Sequence, residues 1–496
     1  MSNNSQQAHW PNNWVFILAA IGSAAGLGNL WRFPFLAYDH GGAAFVVAMI
    51  VANLLIGIPL LALETGLGQM MQKGAADAFG AIKKSFRFLG WTALMMGFMV
   101  LSYYMAVVGW GINFFASAFT LSWGADTQDF FLNTVLQLSP GVSEMGGFSW
   151  PVVAGFLLAW VLVYFIVWKG VKGISKVVVW TATLPFALLA ILIVRAITLP
   201  GAGEGLELFF LPDWSALLST ELWLAAFSQV FFSLSLAFGI MVAYGSLKKR
   251  DSEMLNGVAW ITLGNFLVSI MSGIVVFATL GYMALQQNVP VTEVVAGGPA
   301  LVFIVLPQAI NLLPALNEVV AVLFFGAVLL LAIDSAFSLL EAVTTTVRNR
   351  FPSASTKKVA FVVSVFGVIA GLIFTTKAGL YYLDIIDHFI VNYGLVIVGI
   401  LEALVVAYFW KGGELRKFIQ DRSSWRMDVW WDFSIKFFIP VFLTIFLVIN
   451  IVNELKAPYE GYPVAAIIWM GVVPIILAPF IGAILDKLTT NTTTKN

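Results

Sequence analysis

The chain has 496 residues, 60% of them apolar and only 10% charged, with a mean hydropathy of +0.92, whereas a soluble domain carries roughly 25% charged residues. A soluble globular protein is thereby excluded, because 42 Phe and 18 Trp are more apolar surface than a water-soluble body of this size hides. Twenty-six Lys and Arg balance 26 Asp and Glu, which removes nucleic acid as a partner, and zero Cys with three scattered His (His9, His40, His388) excludes disulfides, thiol chemistry and a metal cluster.

Residues 1–13, MSNNSQQAHWPNN, are polar and lack Lys or Arg, so they read as a short tail and not as the basic start of a signal peptide. Apolar runs of spanning length, about 20 residues, then recur near 14–38, 43–71, 89–123, 150–168, 174–199, 221–247, 255–285, 316–347, 359–376, 380–410, 431–453 and 463–485. The pattern predicts an all-α integral membrane protein of twelve spans, since the runs lack the strict alternation of a transmembrane barrel. The loops after the even-numbered spans are basic, with Lys83, Lys84 and Arg87, then Lys169 and Lys172, Lys248 to Arg250, Arg348 to Lys358 and Lys411 to Arg426. The intervening loops are mostly acidic, so the positive-inside rule places both termini in the cytoplasm.

Two spans carry interruptions: Gly22, Gly26 and Gly28 within GSAAGLGN of the first, and Ser233, Ser235 and Gly239 within FFSLSLAFG of the sixth. If the first ten spans are two five-helix halves, these positions correspond and the halves are inverted, an arrangement that points to a binding site at the bilayer midplane. Small residues equally serve close helix packing. Asn29, Ser233, Asn265, Asp334 and Ser335 are polar residues inside apolar spans, and an ionised Asp there costs at least about 2.5 kcal/mol without a partner. An all-oxygen set of this kind suits a hard monovalent cation. A proton-relay carboxylate is the other reading of Asp334.

The runs GSAAGLGNLWRFPF, FFSLSLAFG and LAIDSAF resemble signatures of the neurotransmitter:sodium symporter family, and the likeness extends over all twelve spans. The resemblance implies a leucine-transporter-type fold, with a ten-helix inverted-repeat core at 14–412, helices 11 and 12 with their preceding segment at 413–486, and cytoplasmic tails at 1–13 and 487–496. It implies a first sodium site at Ala24, Asn29, Ser233 and Asn265 and a second at Gly22, Ala25, Leu331, Asp334 and Ser335. The amino acid substrate would meet Ser23, Ala24, Gly26, Gly28, Ser233 and Ser335, with Val100, Ser235, Ala237, Phe238 and Leu339 around its side chain. Tyr104 and Phe232 would close the pocket, although Tyr103 is an equal candidate by composition. Arg32 would pair with Asp387 as an outer gate, with Asp39 the competing partner.

Relatives that carry monoamines have an acid where this chain has Gly26, so the resemblance implies room for an α-carboxylate and a neutral, apolar amino acid. A chloride position would comprise Gln229, Ser233, Asn265 and Ser269; the Tyr that normally donates to it is replaced by Met49. The family's inner ion pair is missing, with Gln7 before Trp10 and Asn349 at the end of span 8. The implied activity is sodium-coupled symport by alternating access in a bacterial inner membrane, with chloride stimulating and a monomer sufficing; a proton-coupled amino acid carrier is the alternative. No continuous polar pore or nucleophile–base set favours a channel or an enzyme.

Overall fold

A computed structural model describes residues 8–410 and 412–493, so Gln7 and its possible contact with Asn349 lie outside the described residues. Among these residues the chain is helical, with one isolated bridge between Phe148 and Thr376 and no strand. The physical cause is lipid: no water satisfies backbone N–H and C=O groups there, and a helix satisfies them internally. Ten helices are long and apolar enough to cross a membrane, or up to twelve if each bent pair counts once.

In chain order the helices are α1 (Asn13–Ala24), α2 (Gly28–Asp39), α3 (Ala43–Met71), α4 (Lys84–Ala118), α5 (Trp150–Val167) and α6 (Val171–Ile197). They continue as α7 (Thr220–Ser233), α8 (Ile240–Ser246), α9 (Leu255–Gln287), α10 (Gly298–Asn311) and α11 (Asn317–Arg350), and then α12 (Thr356–Thr375), α13 (Gly379–Phe409), α14 (Asp428–Gly461) and α15 (Val464–Lys487). The run expected at 89–123 is displaced by about one turn, because α4 starts at Lys84 and ends at Ala118 before a turn in which Leu121 takes a left-handed φ of 50°. α10 is apolar but too short to span, and hydropathy alone did not separate it from a loop.

The bends sit where the small residues are. α1 and α2 meet at 52° across Ala25–Leu27. That break is held locally: the Gly26 N–H donates to Asn29 Oδ1 at 3.1 Å, and the Asn29 N–H donates to the Gly26 carbonyl at 3.1 Å. The sixth expected span is two helices, α7 and α8, flanking an unwound stretch in which Ser235, Ala237 and Gly239 have φ of 54°, 65° and 73°. A sharper bend of 119° lies earlier, where Ala202–Leu218 meets α7.

Burial separates the centre from the rim. The apolar window of α4 is 78% buried and that of α9 67%, whereas those of α14 and α15 are 28% and 17%. The two unwound stretches therefore lie among well-packed helices, and the last two helices turn most of their surface toward lipid.

Candidate functional site

The two breaks are joined to each other and to α11. Ser235 Oγ donates to the Ser23 carbonyl at 3.0 Å, and Ser335 Oγ donates to the same carbonyl at 3.2 Å. The Ala237 N–H, freed by its left-handed conformation, donates to Glu64 Oε1 at 2.8 Å. Glu64 is fully buried in α3, and sequence reasoning missed it although an acid inside IGIPLLALETG is the same signal that singled out Asp334.

Around the first break, Asn29, Ser233, Asn265, Ser269 and Gln229 come together. Asn29 Nδ2 donates to Asn265 Oδ1 at 2.8 Å, to the Asn265 carbonyl at 3.1 Å and to Ser269 Oγ at 2.8 Å. Ser233 Oγ donates to Asn265 Oδ1 at 2.9 Å, Gln229 Nε2 donates to the Gly28 carbonyl at 3.4 Å, and Gln229 Oε1 has no partner. All five side chains are buried and none is charged. Neutral amide and hydroxyl oxygens at this density fit a monovalent cation, and among the described residues no group of three or more His, Cys, Asp or Glu offers a divalent site. The Ala24 carbonyl, expected as a ligand here, receives the Gly26 N–H at 3.0 Å.

On the other side of the same break stands Asp334. Its carboxylate is buried, Oδ1 has no hydrogen-bond partner, and the Thr181 hydroxyl of α6 approaches it. Gly22 packs so tightly on the carboxylate that a Cβ there would collide with Asp334 Oδ2. Ser335 Oγ also reaches the Leu331 carbonyl at 3.4 Å, and Ala25 is buried at the end of α1. Gly22, Leu331, Asp334 and Ser335 thus form one neighbourhood, with Ala25 three residues beyond Gly22 in the chain, and the structure adds Thr181; a lone Thr in an apolar helix carries no signal of that in the sequence.

Between these two clusters opens a cavity of about 540 Å³. Every residue expected around the substrate lines it except Ala237, whose N–H is turned to Glu64. Phe232 and Phe238 meet edge-to-face with centroids 6.2 Å apart, and Val100 and Leu339 complete the apolar wall. A Cβ on Gly26 would stand 2.7 Å from Ser335 Oγ and 3.7 Å from Tyr104 OH, so only a glycine leaves Ser335 Oγ where it is.

The cavity continues outward past Arg32 and Asp387 to Asp384, Tyr459 and Tyr462. The expected Arg32–Asp387 ion pair is not formed among the described residues, and neither is a pair with Asp39. Arg32 donates to Ser228 Oγ at 2.9 Å and lies 5.8 Å from the Phe232 ring centroid, while Asp387 accepts from Tyr103 OH. The physical reason is local: each charge already has a polar partner beside it, Ser228 for Arg32 and Tyr103 for Asp387. Tyr103 therefore holds the Asp387 carboxylate, and the Tyr104 hydroxyl lies near Gly26.

The opposite end is shut. Trp10 N–H donates to the Leu247 carbonyl at 2.9 Å and its Nε1 to the Tyr244 carbonyl at 3.0 Å, which pins the start of α1 to the end of α8. Lys248 Nζ sits 4.3 Å from the Phe16 ring centroid and donates to the Glu253 carbonyl at 2.8 Å. Asn349 Oδ1 accepts from the Gly74 N–H at 2.6 Å, which ties the end of α11 to the loop after α3. Hydrogen bonds and a cation–π contact thus stand around Trp10, and ion pairs of Arg350 with Asp77 and Asp486 tie the end of α11 to its neighbours at the same face.

The chain matches the sodium:neurotransmitter symporter family over residues 7–128 and 122–488. It is 37% identical over 486 residues to an uncharacterised sodium-dependent transporter of Methanocaldococcus jannaschii, which covers 98% of both chains. It is also 33% identical over 458 residues to the sodium- and chloride-dependent GABA transporter 2 of Mus musculus, covering 85% of this chain and 76% of that one. The Homo sapiens counterpart gives the same 33% over 458 residues. A neutral oxygen cluster, a buried carboxylate with one unpartnered oxygen and a cavity between two unwound stretches agree with that match over nearly the whole length: the chain belongs to the sodium:neurotransmitter symporter family, sodium-dependent secondary transporters and not enzymes.

Proposed function

We propose that this transporter couples the uptake of a neutral, apolar α-amino acid to sodium by alternating access. The observation that carries the reading is Asp334: a carboxylate buried in an apolar helix, with an unpartnered oxygen, packed against Gly22 near the break of the first span and next in sequence to Ser335 of the cavity wall. A cation is what balances it. In this reading one sodium takes Asp334, Ser335 and the Gly22, Ala25 and Leu331 carbonyls, and a second takes Asn29, Ser233, Asn265, the Ala24 carbonyl and the substrate's own carboxylate. Asn265 Oδ1 now accepts from both Asn29 Nδ2 and Ser233 Oγ, so sodium enters by turning those donors away. The carboxylate faces the start of α2 at Gly28, where helix-terminal N–H groups favour an anion.

Val100, Phe238 and Leu339 offer the side chain an apolar wall with no charge, which supports a neutral substrate. A cavity that extends past Arg32 and Asp387 and a Trp10 end held by hydrogen bonds support alternation between two states; in this reading closing brings Arg32 and Asp387 together, and opening releases Trp10 from α8. Gln229, Ser233, Asn265 and Ser269 form a neutral set with no anion to balance the first sodium, so chloride stimulates transport, weakly because Met49 offers no donor. The first ten spans act as the inverted-repeat core, and the basic loops face the cytoplasm of a bacterial inner membrane.

The test is uptake of radiolabelled L-leucine into proteoliposomes, with sodium replaced by choline or potassium. Uptake in sodium alone supports the reading; uptake in choline driven by a proton gradient supports a proton-coupled carrier with Asp334 as the proton site. The mouse and human relatives are GABA transporters by name, so competition by GABA and by L-leucine is measured side by side. Stronger competition by GABA would replace the α-amino acid reading.

A further inference from the structure

A second cavity, of about 370 Å³, opens on the face of the basic loops, and Ala8, Leu247, Glu341, Thr345 and Arg348 are among the residues that line it. It lies on the same helix as the proposed sodium ligands: Asp334, Ser338, Glu341 and Thr345 are spaced four, three and four residues apart, which is one face of α11. Tyr244 OH donates to Ser338 Oγ at 2.7 Å, so α8 crosses that face between the central cavity and this one.

The lining has an unusual division of charge. Glu341 is 3% exposed; Oε1 accepts from Thr345 Oγ1 at 2.9 Å, and Oε2 has no hydrogen-bond partner. The rim carries Lys169, Lys172 and Arg348, all exposed. Among the described residues none of these four groups takes part in an ion pair. A metal cation approaching the pocket meets three positive charges before it reaches the acid. A simple anion is drawn to the rim and repelled by the floor. A molecule bearing both an ammonium and a carboxylate satisfies both ends, and the volume falls within the range of small-ligand pockets, about 300–1,000 Å³.

We propose that this pocket is an exit subsite for the amino acid zwitterion, with Glu341 taking the ammonium and the Arg348 side of the rim taking the carboxylate. The choice of an amino acid rests on the proposed substrate class; the demand for a zwitterion rests on the pocket alone. The subsite contains none of the proposed sodium ligands, so its occupancy is independent of sodium.

The chain has no Cys, so a single reporter is clean. Thr356→Cys, placed on the lining, is labelled with a maleimide in purified full-length protein in sodium-free potassium buffer. L-Leucine slows the labelling about threefold at about twice its dissociation constant, whereas L-leucine methyl ester and N-acetyl-L-leucine, each lacking one charge, do not. Glu341→Gln removes the protection, and Arg348→Gln does so as well, which keeps the test alive if one variant fails to fold. Equal labelling with and without L-leucine overturns the proposal. So does protection by phosphoethanolamine alone, which assigns the pocket to a lipid headgroup. Sodium-dependent uptake is measured on the same protein: protection without uptake leaves the subsite standing and sinks the transport reading, and uptake without protection does the reverse.

Discussion

Asp334 concentrates the argument in one side chain. Its carboxylate has an unpartnered oxygen and a glycine pressed against the other. Asp334→Asn keeps the size and removes the charge, which at 4 Å and an effective dielectric of about 20 is an interaction of about 4 kcal/mol. Sodium-dependent substrate binding is expected to weaken by roughly a thousandfold, read by scintillation proximity in a sodium titration; affinity within a factor of a few of the parent would remove Asp334 from the ion site. Gly26 makes a second residue-level test. Because a Cβ there stands 2.7 Å from Ser335 Oγ, Gly26→Ala already forces that hydroxyl to shift and lowers uptake severalfold. Gly26→Asp adds a negative charge beside the substrate carboxylate and abolishes it. If Ala and Asp give the same residual uptake, crowding alone explains the loss and the carboxylate lies elsewhere.

The unwound stretch between α7 and α8 shows how a helix is broken on purpose. Left-handed Ser235 and Ala237 cost on the order of 1–3 kcal/mol each, and the neighbouring helices hold them there: Ser235 through the Ser23 carbonyl, Ala237 through Glu64. Glu64→Ala leaves a buried N–H unsatisfied and is expected to lower stability by about 1–3 kcal/mol, while Glu64→Gln retains an acceptor and recovers most of it. Thermal unfolding of the detergent-solubilised protein checks this, and equal melting of the two variants would mean that the Ala237 contact carries no weight.

The loop after α8 adds a pH dependence. Burial against Phe16 pushes the Lys248 ammonium down to about 7 from its usual 10.5. A pKa lower in the folded state than in the unfolded one means that the unfolded chain binds more protons between about 7 and 10.5, so stability rises with pH across that window. Lys248→Met is expected to flatten that rise; an unchanged slope of melting temperature from pH 7 to 9 would show that another group sets it.

The molecule as a whole is open on one side and shut on the other, and its cavity runs from Ser23 and Ser335 to Tyr459. In the proposed arrangement one sodium shares the substrate carboxylate, so sodium is expected to raise substrate affinity by the same factor as substrate raises sodium affinity, since coupling free energy is reciprocal. In that proposal chloride enters the same balance of charge. Replacing it with gluconate is expected to reduce uptake without abolishing it, and Ser269→Glu, which supplies a fixed anion next to Asn29, makes uptake indifferent to the exchange. Equal wild-type rates in the two salts would show that the first sodium is balanced without chloride.

The apolar helices, the buried polar residues within them and the family were legible in the residue string, because each depends on local facts: about 20 apolar residues fill a bilayer, an acid inside an apolar run stands out, and GSAAGLGNLWRFPF is contiguous. The clustering of Asn29 with Asn265, 236 residues apart, was expected from that motif, but its hydrogen-bond pattern was not. Glu64 and Glu341 were equally visible as acids in apolar runs, yet their roles depend on what packs against them: a left-handed Ala237 for one, a basic rim for the other. Arg32 and Asp387 were readable as partners but not as separated ones. Separation is a property of the conformation, set by how the helices pack around the cavity, and a residue string that names two complementary charges does not specify how far apart one conformation holds them. Thr181 and the Trp10 latch belong to the tertiary structure alone, since nothing local distinguishes them from other residues of apolar helices until α6 meets α11 and the start of α1 meets the end of α8.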